Sequence, residues 1–102
     1  MKAFHLATIV TACMLSAPAF AQPELAQKKN CMACHAVAQK VIGPSFKEIA
    51  AKYAGQADVV PKLTEKVIKG GSGVWGAVPM PANPQVTEAE AKQLVQWILT
   101  LK

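Results

Sequence analysis

Two cysteines three positions apart, followed at once by a histidine, form the segment CMACH at residues 31–35. No other feature restricts this chain as much. Thiols and an imidazole in so short a span suit three chemistries: a redox dithiol, a structural metal site, or covalent attachment of a larger group. The remainder of the sequence decides among them.

The first 21 residues read as a secretory leader. Lys2 precedes an apolar run that ends in Pro18 and small residues, and Ala19 and Ala21 occupy the −3 and −1 positions of an A-x-A cleavage site. The run is short for a membrane-spanning helix, so no stable membrane insertion is expected. A loose lipidation box at Val10–Cys13 ranks below simple cleavage. Cleavage after Ala21 leaves residues 22–102 as one small domain, expected in the periplasm, where conditions are oxidising. It also removes Met1, His5, Cys13 and Met14. The domain then holds two cysteines, one histidine and two methionines, Met32 and Met80.

A domain this small is marginal as a self-sufficient core. Its aromatic residues are few: Phe46, Tyr53, Trp75 and Trp97. Something besides side chains is expected to fill its middle.

The pattern predicts an all-α fold of about four short helices. Residues 23–30 lead into CMACH, and 36–44, ending in Gly43-Pro44, read as a loop. Ser45 and Glu48 form an S-x-x-E capping box that opens FKEIAAKY, which Gly55 stops. Asp58 is placed to cap VVPKLTEKVIK, whose Val60, Leu63, Val67 and Ile68 share a face. Thr87 and Glu90 form a second capping box, opening a helix expected to run to Lys102. Its buried stripe would be Ala91, Leu94, Val95, Ile98 and Leu101. Between these helices, residues 70–86 are rich in Gly and Pro and lack periodicity. A structureless loop of that length in so small a domain is usually functional.

A redox dithiol belongs beside a βαβ pattern, and no strand is evident. A structural zinc ion usually takes four protein ligands, and two Cys with one His fall short unless carboxylates complete the set. Covalent haem fits best. Cysteines at i and i+3 share one face of a helical turn and can reach two vinyl groups on one edge of a porphyrin, with His35 then brought under the iron.

For the other face of the iron, no second histidine survives cleavage. Met32 lies on the histidine side. Met80 sits between Pro79 and Pro81, which hold the backbone extended and can present a thioether to iron. The alternatives are a Met80 that merely fills the core, and a lysine ligand, mainly at high pH.

CMACH, Gly43-Pro44, the segment GVWG at 73–76, PMPAN at 79–83 and a C-terminal helix carrying Trp97 together resemble class I cytochrome c, most closely the bacterial cytochrome c-551 group. The resemblance spans the whole of residues 22–102. It implies a small helical fold around one haem c, held by thioethers from Cys31 and Cys34 and ligated by His35 and Met80. It further implies that Pro44 accepts the free ring N–H of His35, that Trp75 donates to a haem propionate, and that Asn83 hydrogen-bonds the Met80 sulfur. Relatives often have an arginine near the propionates. This chain has none, and Lys66 stands in about that place.

A haem with His and Met ligands favours electron transfer, because both axial positions are filled and methionine stabilises the ferrous state. The expected role is a monomeric electron carrier, not an enzyme. By family analogy its partners are larger redox proteins: a quinol-oxidising cytochrome complex, a terminal oxidase or a nitrite reductase. The alternatives are a haem sensor or weak peroxidase with a labile sixth ligand, and a dedicated subunit of one oxidoreductase. Ten lysines against six carboxylates leave residues 22–102 cationic. Nucleic acid is not expected as a partner. Lys28, Lys29, Lys40 and Lys47 are expected to flank the haem edge and steer docking onto acidic patches.

Overall fold

Both capping boxes form, and they start the two helices on which the fold depends. The computed structural model describes residues 22–102. The expected leader, residues 1–21, lies outside the described residues. Ser45 Oγ accepts from the Glu48 N–H at 3.1 Å, and the Ser45 N–H donates to the Glu48 carboxylate at 2.9 Å. Thr87 and Glu90 repeat the exchange at 3.2 and 3.0 Å. Each box satisfies two otherwise orphaned backbone donors.

The element order is α1 (Gln22–Lys28), a 3-10 turn (Cys31–Ala33), α2 (Phe46–Tyr53), α3 (Val59–Lys69) and α4 (Glu88–Ile98). Among the described residues there is no strand, so the fold is all-α. Helix α4 packs on α1, α2 and α3. Ala26, Phe46, Val86, Ala91, Leu94 and Ile98 form the buried core. Leu101 packs against that core from beyond the helix, because α4 ends at Ile98, short of the expected Lys102.

One expectation fails in an instructive way. Asp58 does not cap α3. Its backbone is left-handed (φ 61, ψ 13) and its side chain makes no cap hydrogen bond. An N-cap needs an extended backbone to aim its oxygen at the first turn. The apolar face of α3 forms and is half-buried. Val60, Leu63, Val67 and Ile68 are half-buried, whereas Val59 and Thr64 are the buried residues of this helix. Leu63 and Val67 are half-buried because they line a cleft.

Residues 70–86 are less structureless than their composition suggests. Gly71 and Met80 pair as two strand residues would, with N–H···O bonds of 3.0 and 2.8 Å in both directions. The chain between them closes into a loop, crossed by a bond from Gly73 N–H to Gly76 O. Gly70 makes this possible. It has φ 73, and a Cβ there would strike the Met80 carbonyl and lie 2.8 Å from Ala82 N.

Candidate functional site

Asn30 turns the chain sharply after α1 by adopting a left-handed backbone (φ 67). The 3-10 turn follows, closed by bonds from the Cys34 and His35 N–H groups to Cys31 O at 3.2 and 3.0 Å. Cys31 and Cys34 are therefore on one turn, as free thiols that both line the same cleft. Burial pushes the Cys31 thiol up, partly opposed by its backbone hydrogen bond.

The imidazole of His35 is held on three sides. Its Nδ1 lies 2.7 Å from Pro44 O, so Nδ1–H donates and Nε2 keeps its lone pair. Phe46 stacks on the ring with centroids 5.3 Å apart, and Trp97 meets Phe46 edge-on at 5.5 Å. Phe46 is the first residue of α2, so the Ser45 capping box also sets the position of the ring that supports His35. Gly43 closes the third side. A Cβ at that position would stand 2.6 Å from His35 Cε1.

Met80 reaches the same cleft from the 70–86 segment, with its backbone clamped to Gly71. The cleft has a volume of about 260 Å³. Its walls are mainly apolar, including Ile49, Tyr53, Leu63, Val67, Leu94 and Ile98. Trp75 stands at the rim, 44% exposed, with Lys52 Nζ 5.3 Å from its ring centroid. Lys66 also lines the cleft, and its Nζ is packed against Gly71.

Asn83 is differently engaged from the expected bond to the Met80 sulfur. Its amide nitrogen donates to Val67 O at 2.9 Å and to Pro81 O at 3.3 Å. Both amide hydrogens thus go to backbone carbonyls. Lys29 is the other departure. It pairs with Glu90 at 3.2 Å and donates to Gln85 O, so it ties α1 to α4 instead of presenting a free charge. Lys28, Lys40 and Lys47 are exposed.

These residues fit a flat apolar macrocycle with a central metal. Two thiols lie on one turn, an oriented imidazole adjoins them, and a thioether enters the same cleft from a separate loop. Zinc fits poorly, because among the described residues no three His, Cys, Asp or Glu side chains converge. Sequence reasoning gives no site role of their own to Gly43, Phe46, Gly71 or Gln85. A glycine before the Gly-Pro proline and a double glycine ahead of the Met segment were visible signals of crowding, but what crowds them is set by the fold.

Comparison with known proteins agrees. Residues 23–102 match the family described as Cytochrome c. Over 102 residues, covering all of both chains, the sequence is 53% identical to cytochrome c-552 of Hydrogenobacter thermophilus. It is 57% identical over 79 residues to cytochrome c-551 of Azotobacter vinelandii, spanning 78% of this chain and 95% of that protein. The fold superposes on the crystal structure of wild-type cytochrome c552 from Nitrosomonas europaea with a TM-score of 0.77 and 55% identity, over 78% of this chain and 99% of that one. A helical fold around an apolar cleft, the thiol pair with its histidine, and these likenesses lead to one conclusion: the chain belongs to the cytochrome c family and is a small class I c-type cytochrome.

Proposed function

We propose that this protein is a periplasmic carrier of single electrons whose haem c is joined to Cys31 and Cys34 and ligated by His35 and Met80. The observation that carries this reading is that His35, oriented by Pro44, shares one apolar cleft with Met80, whose backbone is fixed by two bonds to Gly71. Bound haem supplies an iron that gains and loses one electron.

The chain's own residues do the rest. The Cys31 and Cys34 sulfurs form the thioethers. The Pro44 carbonyl holds His35 Nδ1–H, which selects the tautomer with Nε2 free and makes that nitrogen a better donor. Phe46 and Gly43 keep the ring from tilting. Met80 offers a soft, neutral sulfur, which favours the reduced state over a second nitrogen ligand. Leu63, Val67 and Leu94 keep water from the cleft, and a low-dielectric surround limits reorganisation. Trp75 and Lys66 are the groups at hand for the propionates. Exposed lysines, such as Lys28, Lys40 and Lys47, would steer acidic redox partners. By family analogy these are a quinol-oxidising cytochrome complex, a terminal oxidase or a nitrite reductase.

The test is the visible and near-infrared absorption spectrum of the ferric protein purified from the periplasmic fraction of a host able to attach haem. A weak long-wavelength band from methionine sulfur on ferric iron is expected at neutral pH, and Met80→Ala should abolish it. High-spin ferric iron without that band would overturn methionine ligation and move a sensor or weak peroxidase to first place.

A further inference from the structure

Gln85 lies five residues beyond Met80, between Pro84 and Val86. Its side-chain amide donates to Asn83 Oδ1 at 3.1 Å and to the Lys29 carbonyl at 3.3 Å. Its own carbonyl accepts from Lys29 Nζ at 3.2 Å. Lys29 and Gln85 thus hold each other reciprocally. Lys29, only 18% exposed, is anchored in turn by Glu90 in the first turn of α4.

The consequence falls on Asn83. An amide oxygen only accepts and an amide nitrogen only donates. With its oxygen claimed by Gln85, the Asn83 amide must turn its nitrogen toward Val67 O and Pro81 O. A half-turn of that amide would set oxygen against two carbonyls and nitrogen against the Gln85 donor. The Asn83 backbone N–H adds a bond to Ile68 O at 3.0 Å. Asn83 therefore pins Pro81 to the carboxyl end of α3, and Pro81 adjoins Met80.

We propose that Gln85 is a positioning residue for Met80: by fixing the orientation of the Asn83 amide, it clamps the methionine-bearing segment onto α3. The inference rests on Met80 being an iron ligand. Gln85 lines the cleft, as Asn83 does. It acts through Asn83, and its effect is to hold the thioether in place against competing ligands.

The experiment titrates ferric holoprotein with imidazole, which competes with methionine for the iron, and follows loss of the methionine–iron band. Unfolding midpoints are measured alongside. Gln85→Ala removes both donated bonds. Gln85→Glu keeps the side chain's length while replacing the donor by an acceptor, and so separates hydrogen bonding from packing. Both should bind imidazole about fivefold more tightly than the unsubstituted protein, the order of one lost hydrogen bond. Lys29→Met is the comparison. It breaks the pair with Glu90 and the bond to Gln85 O but keeps the Lys29 carbonyl that Gln85 uses. It should lower the unfolding midpoint while leaving imidazole affinity within about twofold. If the Gln85 variants bind imidazole no more tightly than Lys29→Met, Gln85 is only a staple and the proposal is overturned. If the unsubstituted protein lacks the methionine band, the ligand reading fails first and this inference falls with it. A band that is present, with an imidazole affinity that the Gln85 variants leave unchanged, overturns the Gln85 role alone.

Discussion

Gly43 leaves the His35 imidazole the space to lie against Pro44 O, and that space is narrow. A methyl group at residue 43 would stand 2.6 Å from Cε1 and 3.0 Å from Nδ1, closer than van der Waals contact allows. Backbone strain is not the issue; the obstacle is the ring itself. Gly43→Ala must therefore push the imidazole off its carbonyl or displace the 36–44 loop. We expect a loss of about 1–3 kcal/mol, the usual range for an overpacked site. Denaturant unfolding of the holoprotein checks the loss, and a shifted reduction potential checks that His35 has moved. An unchanged potential with unchanged stability would mean that the loop yields freely. At this scale the sequence was informative about chemistry and silent about contact. Cys31, Cys34, His35 and Met80 stand out as candidates because few other residues can bind iron or carry a thioether. Gly43 and Gln85 do not, since Gly43 matters through His35, eight positions back, and Gln85 through a network that joins Asn83 to Lys29, 56 positions from it.

Helix starts were the most readable elements, because an S/T-x-x-E box is a local device and both boxes formed. Asp58 shows the limit of the same reasoning. Residue type suited an N-cap, but the turn after Gly55 delivers the chain to α3 with a left-handed backbone at Asp58, from which no cap bond is made. A left-handed residue with a Cβ is strained by about 1–2 kcal/mol, less for Asp than for most. Substituting glycine relieves that strain, against a loss of chain entropy and of a favourable charge near the helix start, each about 0.3–1 kcal/mol. Asp58→Gly should therefore leave stability unchanged or raise it by about 0.5 kcal/mol. Thr87→Ala, which breaks a formed capping box, should cost about 1 kcal/mol. Denaturant midpoints of the two holoproteins give the comparison. A loss at Asp58→Gly as large as that at Thr87→Ala would mean that the carboxylate caps α3 in solution. The 70–86 segment belongs to the same scale. Its composition marked it as functional, but the Gly71–Met80 pairing that gives it shape involves backbone atoms only and leaves no trace in side-chain pattern.

The whole molecule is organised around the cleft. α4 carries Leu94, Val95 and Ile98 along one side of it, while Leu63 and Val67 of α3 and Ile49 of α2 remain half-buried at its walls. The weak aromatic content and short helices made a bound group necessary in prospect, and the half-buried stripe of α3 gives that necessity a location. The cleft holds about 260 Å³, and its apolar walls go without the burial that a filled core gives, about 25 cal/mol per Å² of apolar surface. Small domains have only about 5–15 kcal/mol of stability in total. Without haem the described fold should therefore lie at or beyond the edge of cooperativity. A Cys31→Ala/Cys34→Ala variant, which has no thiol with which to retain haem, tests this directly. Compared with the holoprotein, it should show much less helix by far-ultraviolet circular dichroism, poorly dispersed amide resonances and no sharp thermal transition. A haem-free variant with full helical signal and a cooperative transition would mean that the cleft collapses and closes its own walls. The haem would then be a passenger in a self-sufficient bundle, and the half-burial of Leu63 and Val67 would need another cause.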